Sequence, residues 1–125
     1  MPLLCFAQKK RDNAILIPSQ GITDEKIRTA IVTYGFGIDK ADNGYYQTTP
    51  GKKEKAPTSK ISIFKSDSVY IIQGWYDVEI ELMGVKSSFD KTEFRGMKGS
   101  PALRAWEVMV GFAKKLSDSL TFIKQ

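Results

Sequence analysis

The stretch Arg95-Gly96-Met97-Lys98-Gly99-Ser100 places two glycines three apart around a lysine, beside an arginine and just ahead of an apolar segment with helical spacing. Glycines so placed can turn backbone N–H groups toward an anion, and the positive end of the following helix adds to the attraction. A second stretch, PGKKEKAPTSK, crowds Lys52, Lys53 and Lys55 together, and their ammonium groups could neutralise phosphates. In a third, Asp77, Glu79 and Glu81 alternate along a strand-like run. Strand geometry puts these carboxylates on one face at intervals of about 7 Å, a separation that glycoside hydrolases use for their acid and base. Trp75 shares that face, and a tryptophan among charges is a natural anchor for a protein partner.

Other chemistries lack their residues. The chain has no histidine and one cysteine, Cys5. The usual general base, the Cys/His zinc sets and the Ser-His-Asp triad are therefore missing. Cys5 sits in an apolar run that suits a small core residue rather than an activated nucleophile. Neither a metal nor a cofactor is implied. Alternating acids opposite an apolar face are also what the solvent side of an antiparallel strand carries, so Asp77, Glu79 and Glu81 read first as a solvated strand face and only then as a hydrolase pair.

The elements that must position these residues follow from periodicity. Ala14 to Pro18 is a short strand stopped by proline, expected to pair with the apolar residues 2–7 as a hairpin. Thr23 is the N-cap of a helix with Asp24 and Glu25 in its first turn, Ile22 and Ile27 as a staple, and Ile27, Ala30, Ile31 and Tyr34 facing a core. Gly35 and Gly37 end it. Residues 38–59 are irregular by composition, with a short strand at the tyrosines, where Tyr45 and Tyr46 point to opposite faces, and a mobile basic loop over residues 49–59. Lys60 to Lys65 and Val69 to Met83 alternate as strands. The second is too long for this chain to hold straight, so a bend or bulge is expected near Gln73-Gly74. Residues 87–94 read as a capped helical turn, and Ser100 with Pro101 opens a helix whose face carries Ala102, Ala105, Trp106, Met109, Phe112, Ala113 and Leu116. A last edge strand follows at Leu120 to Ile123. The expectation is one α+β domain, an antiparallel sheet with a long bent central strand packed against two main helices.

With a helical turn before it and a capped helix after it, the Gly96-Met97-Lys98-Gly99 loop resembles the GxxG loop of KH domains, where a loop between two helices grips a nucleic-acid backbone. The resemblance covers four residues of motif and the rough order of elements. It implies a nucleic-acid partner, with the helix-linking loop on the phosphates.

The charge of the chain fits nucleic acid, anionic lipid or an acidic protein alike and does not choose among them. Nineteen basic and 14 acidic residues give a net charge of +5. Through Lys65 there are 11 basic and 6 acidic residues, and from Ser66 onward 8 of each, so the excess lies in the first half. Two binding functions are expected. The first is a small non-catalytic protein acting on a protein partner, as an inhibitor, immunity-type or adaptor protein, through Trp75, Asp77, Glu79 and Glu81. The alternative is a nucleic-acid-binding module using Lys52, Lys53, Lys55, Arg95, Gly96, Lys98 and Gly99, with a tyrosine for base stacking. A ligand-binding cup or small hydrolase between the long strand and the final helix ranks third, and its mark would be a pocket with more than one titratable group. The cytoplasm is the expected compartment, or the periplasm or exterior if residues 1–7 end a signal peptide.

Overall fold

Residues 11–53, 55–78 and 88–125 are described by the structure, a computed structural model. Ile15 and Ile17 alternate into the core from β1 (Ala14–Pro18), and Pro18, which has no N–H for a ladder, ends it. Thr23 caps α1 (Asp24–Thr33) by accepting from the Lys26 N–H at 3.1 Å, and Ile27, Ala30 and Ile31 form its buried stripe. The helix closes as the glycines predict: the Gly35 N–H donates to Val32 O and the Phe36 N–H to Ile31 O, with Gly35 at φ 102°.

Where composition predicts irregular chain over residues 38–44, the structure has a hairpin of β2 (Ile38–Asp42) and β3 (Tyr45–Thr48). Its turn, Asn43 at φ 46° and Gly44 at φ 82°, is the doubly left-handed geometry that Asn-Gly favours. Tyr46 is 2% exposed and Tyr45 39%, the split that strand alternation requires.

The centre of the sheet is the hairpin of β4 (Ser59–Ser66) and β5 (Val69–Asp77). One edge of β5 pairs with β4. Its other edge pairs with β1 over Val69–Ile72 and then with β6 (Phe89–Lys91) over Trp75–Asp77. The ladder to β4 keeps one register through Gly74, so no bulge lies there. Gly74 instead admits a helix: a Cβ at this position would stand 3.0 Å from Met109 Sδ and 3.3 Å from Thr92 Oγ1. The expected continuation of the strand to Met83, like the apolar run 2–7, lies outside the described residues.

Residues 89–91 are strand, not the expected helical turn. The free edge of β5 beyond β1 recruits them, and the pairing pulls Phe89 and Lys91 to the face of Trp75. The lead into β1 continues this edge, with the Arg11 N–H on Phe94 O and the Phe94 N–H on Asp12 O. Ser100 caps α2 (Pro101–Leu116) with proline at its start, as its sequence predicts, and β7 (Thr121–Ile123) pairs with the outer edge of β1.

The result is α+β: among the described residues, a seven-stranded antiparallel sheet in the order β2-β3-β4-β5-β1-β7, with β6 on β5, and two helices over one face. Trp106, Met109, Phe112, Ala113 and Leu116 of α2 meet Ile15, Ile17, Ile61, Ile63 and Ile72 of the sheet in one core. Among the described residues no helix is long and apolar enough to cross a membrane.

A side-chain bond ties α1 to the sheet: the buried Tyr46 hydroxyl donates to Asp24 Oδ1 at 2.5 Å. Burial and then Asp24 push the Tyr46 hydroxyl far above its ordinary value. Tyr46, and after it Arg28, hold the Asp24 carboxyl below its ordinary 3.8. A carboxyl more acidic folded than unfolded contributes stability above pH 3.8, and that contribution is lost as pH falls through the folded pKa. Asp24→Asn is therefore less stable than wild type near neutral pH, and in urea titrations the gap narrows as pH falls below 3.8; a gap independent of pH contradicts this. Gly74→Ala, which crowds Met109 and Thr92, is expected to cost roughly 1–3 kcal/mol in the same assay.

Candidate functional site

The connection from β6 to α2 is built on two glycines held at positive φ, Gly96 at 97° and Gly99 at 87°, conformations that side chains with a Cβ rarely adopt. A turn between them bonds the Ser100 N–H to Met97 O at 2.9 Å, and Ser100 Oγ accepts from the Leu103 N–H at 3.3 Å. A Cβ on Gly96 would fall inside van der Waals contact of Ser100 Oγ, so Gly96 also leaves room for the cap. The loop joins a strand to a helix, not two helices, because residues 89–91 pair with β5. The order of elements thus departs from the KH arrangement that its four-residue motif resembles.

This loop forms one side of a cleft of about 830 Å³ at the end of β5. Between β3 and β4, Lys52, Lys55, Ala56, Pro57 and Thr58 also line it. Among the described residues the lining carries Arg11, Lys52, Lys55, Arg95 and Arg104, and the carboxylate of Asp77. Pro57, Val78, Pro101 and Ala102 supply apolar wall, and Gly96, Gly99 and Ser100 bring backbone close. The cations come from four separate stretches: the lead into β1, the β3–β4 loop, the β6–α2 connection and the first turn of α2.

Several of these groups are held in place. The Arg95 Nη2 donates to the Tyr76 hydroxyl at 2.9 Å, and its Nε lies 3.5 Å from Glu93 Oε2, near enough for attraction but not aligned for a hydrogen bond. Glu93 also accepts from Arg11 Nη1 at 3.1 Å, so one carboxylate serves two arginines. Arg104 Nε donates to Gly99 O at 3.1 Å. Arg11 at φ 76° and Lys55 at φ 62° have left-handed backbones outside the two-residue hairpin turns that account for Asn43 and Asp67; such strain concentrates at functional positions.

Of the residues expected to meet nucleic acid, the structure brings Lys52, Lys55, Arg95, Gly96 and Gly99 together. Lys98 and the 82%-exposed Met97 sit at the tip of the loop, outside the lining. Lys53 turns away, donating to Tyr34 O at 2.6 Å with its ammonium 4.0 Å from the Tyr34 ring centroid. Asp77, expected on a protein-binding face, lines the cleft. Trp75 is half-buried on the sheet face away from the helices, across from Lys60 and Lys91. Glu79 and Glu81 lie outside the described residues.

Arg11 and Arg104 belong to the site although the sequence pattern does not single them out. Arg104 carries a readable signal: the first turn of α2 has no acid and an arginine instead, against the usual bias of helix starts. Arg11 shows in the sequence only as part of the basic excess of the first half, and the pairing with Phe94 brings it to the cleft. Among the described residues no group of three or more His, Cys, Asp or Glu side chains is arranged to hold a metal ion. Compared with known proteins, the chain matches no family model, no curated protein sequence and no solved structure.

Ser100→Ala removes the cap bond and is expected to cost about 1 kcal/mol. Gly96→Ala both displaces the cap and strains the backbone, so it should cost about 2 kcal/mol or more. Equal midpoints for the two variants in chemical denaturation would show that the loop relaxes around a side chain at position 96.

Proposed function

We propose that the protein is a non-catalytic binding module that holds a phosphate-bearing ligand in this cleft, either a nucleic-acid strand or a free phosphate ester. The observation that carries the reading is the convergence of Arg11, Lys52, Lys55, Arg95 and Arg104 from four stretches of chain on one concave site. Glu93 and Asp77 offset only part of these five positive charges, and the excess favours an anionic ligand. Three of the five are arginines, whose planar donors match phosphate oxygens in pairs. The size of the cleft suits a small ligand or a segment of a longer one, and its prolines, Val78 and Ala102 provide contact for an organic body. Binding is preferred to turnover because guanidinium and ammonium groups dominate the lining, with Asp77 as the one carboxylate among its described residues.

A protein partner held through Trp75 and the acids of β5 has less to support it. Trp75 is half-buried between lysines, and Asp77 belongs to the cleft.

The test is fluorescence anisotropy with a labelled single-stranded oligonucleotide at low and physiological salt, with an unlabelled mononucleotide and pyrophosphate as competitors. Affinity is expected to fall steeply with salt, and Arg104→Gln to weaken binding about tenfold and lower the salt slope by about 1. Lys65→Glu, at the far end of β4, is the control and should have little effect. Competition by small phosphates at concentrations similar to the strand's would identify a phosphate-ester site; competition by longer strands alone would identify a nucleic-acid backbone site. Absence of binding by every phosphate probe at low salt, or binding indifferent to Arg104, overturns the reading.

A further inference from the structure

We infer that Lys53 is a positioning residue: it latches the β3–β4 loop to the end of α1 and thereby holds Lys52 and Lys55 at the cleft. The inference rests on reading the cleft as a phosphate site. By sequence the three lysines are equivalent, but the structure divides them. Lys52 and Lys55 line the cleft, whereas Lys53 reaches the opposite way to Tyr34.

The contact at Tyr34 is well made for a cation. Tyr34 is the C-cap residue of α1, so its carbonyl lies at the negative end of the helix, and the Lys53 ammonium donates to it at 2.6 Å. The same ammonium lies over the aromatic ring at 4.0 Å from its centroid. Tyr34 is itself fixed. Its hydroxyl donates to Val108 O at 2.9 Å, its ring meets Phe112 edge-on at 5.8 Å, and Gly111 clears space for the hydroxyl where any Cβ would collide.

The loop is otherwise closed at its base, where Gly51 and Ser59 exchange two backbone bonds of 2.8 Å, and braced inside by the Ala56 N–H on Lys53 O at 3.1 Å. With Lys53 fastened, Lys52 and Lys55 flank a fixed point. One helix then sets both walls of the cleft: the first turn of α2 carries Arg104, and its third turn, through Val108, Tyr34 and Lys53, carries the lysine loop. Releasing the latch would leave the loop to be ordered only when ligand arrives, at a cost in conformational entropy.

The experiment is a double-mutant cycle on the affinity for the labelled oligonucleotide, with Lys53→Met, Lys55→Gln and the pair. Lys53→Met is expected to weaken binding about tenfold, and Lys55→Gln to cost much less in that background than in wild type, because an unlatched loop no longer presents Lys55. Exchange of the Ala56 amide with solvent should speed up in Lys53→Met and return toward wild type in Lys53→Arg, which can still reach the carbonyl and the ring. If wild type binds while Lys53→Met binds equally well, the latch is overturned and the phosphate reading stands. Additive losses with unchanged Ala56 exchange would show Lys53 to be an ordinary ligand contact, again overturning the latch alone. Failure of wild type to bind removes the phosphate reading and the latch with it.

Discussion

Burial of one sheet face under α2 is the constraint on which the rest of this structure depends. Trp106, Met109, Phe112 and Ala113 are almost wholly enclosed, and they enclose Ile15, Ile61, Ile63 and Ile72 in return. Burying this much apolar surface is the main force that can hold a seven-stranded sheet with short edge strands. Two glycines let the layers meet: Gly74 brings β5 up to Met109, and Gly111 brings Tyr34 up to the helix. Because α2 must lie in that groove, its N-terminal turn comes to rest beside the end of β5, and the cleft forms there.

Charge then occupies ground that packing has prepared. Four of the five cleft cations sit on connections, where the backbone is not committed to the core, and Arg104 sits on the first turn of α2. Glu93 lies between Arg11 and Arg95 and offsets part of their mutual repulsion. Gly99 and Arg104 hold each other through the Gly99 carbonyl. The strain at Arg11 and Lys55 is consistent with a surface shaped for a ligand rather than for stability alone.

Much of this fold is legible in local sequence rules. Thr23 and Ser100 announce their helices, the wide apolar face of α2 announces its central place, and alternation announces β4 and β5. Asn43-Gly44 carries a hairpin signal that the surrounding polar residues mask. Residues 89–91 are not legible, since three residues of weak propensity become strand only because β5 has an unpaired edge beyond β1. The site is legible in pieces. Lys52, Lys55, Arg95, Gly96 and Gly99 can be picked by type, but their meeting depends on β6 being a strand. Lys53 cannot be told from its neighbours by sequence, because its role depends on where α1 ends, which is a long-range fact.

The central claim is that the basic cleft, and no other surface, takes up a phosphate-bearing ligand. The most direct measurement is a nitrogen–proton NMR titration of the labelled protein with a short single-stranded oligonucleotide and, separately, with pyrophosphate. The account predicts saturable shifts of the amides of Gly96, Gly99 and Ser100 and of Lys52, Lys55, Ala56 and Thr58, with little movement at Tyr45, Phe64 and Trp75 on the far sheet face. Shifts confined to that far face, or none at low salt, would contradict it.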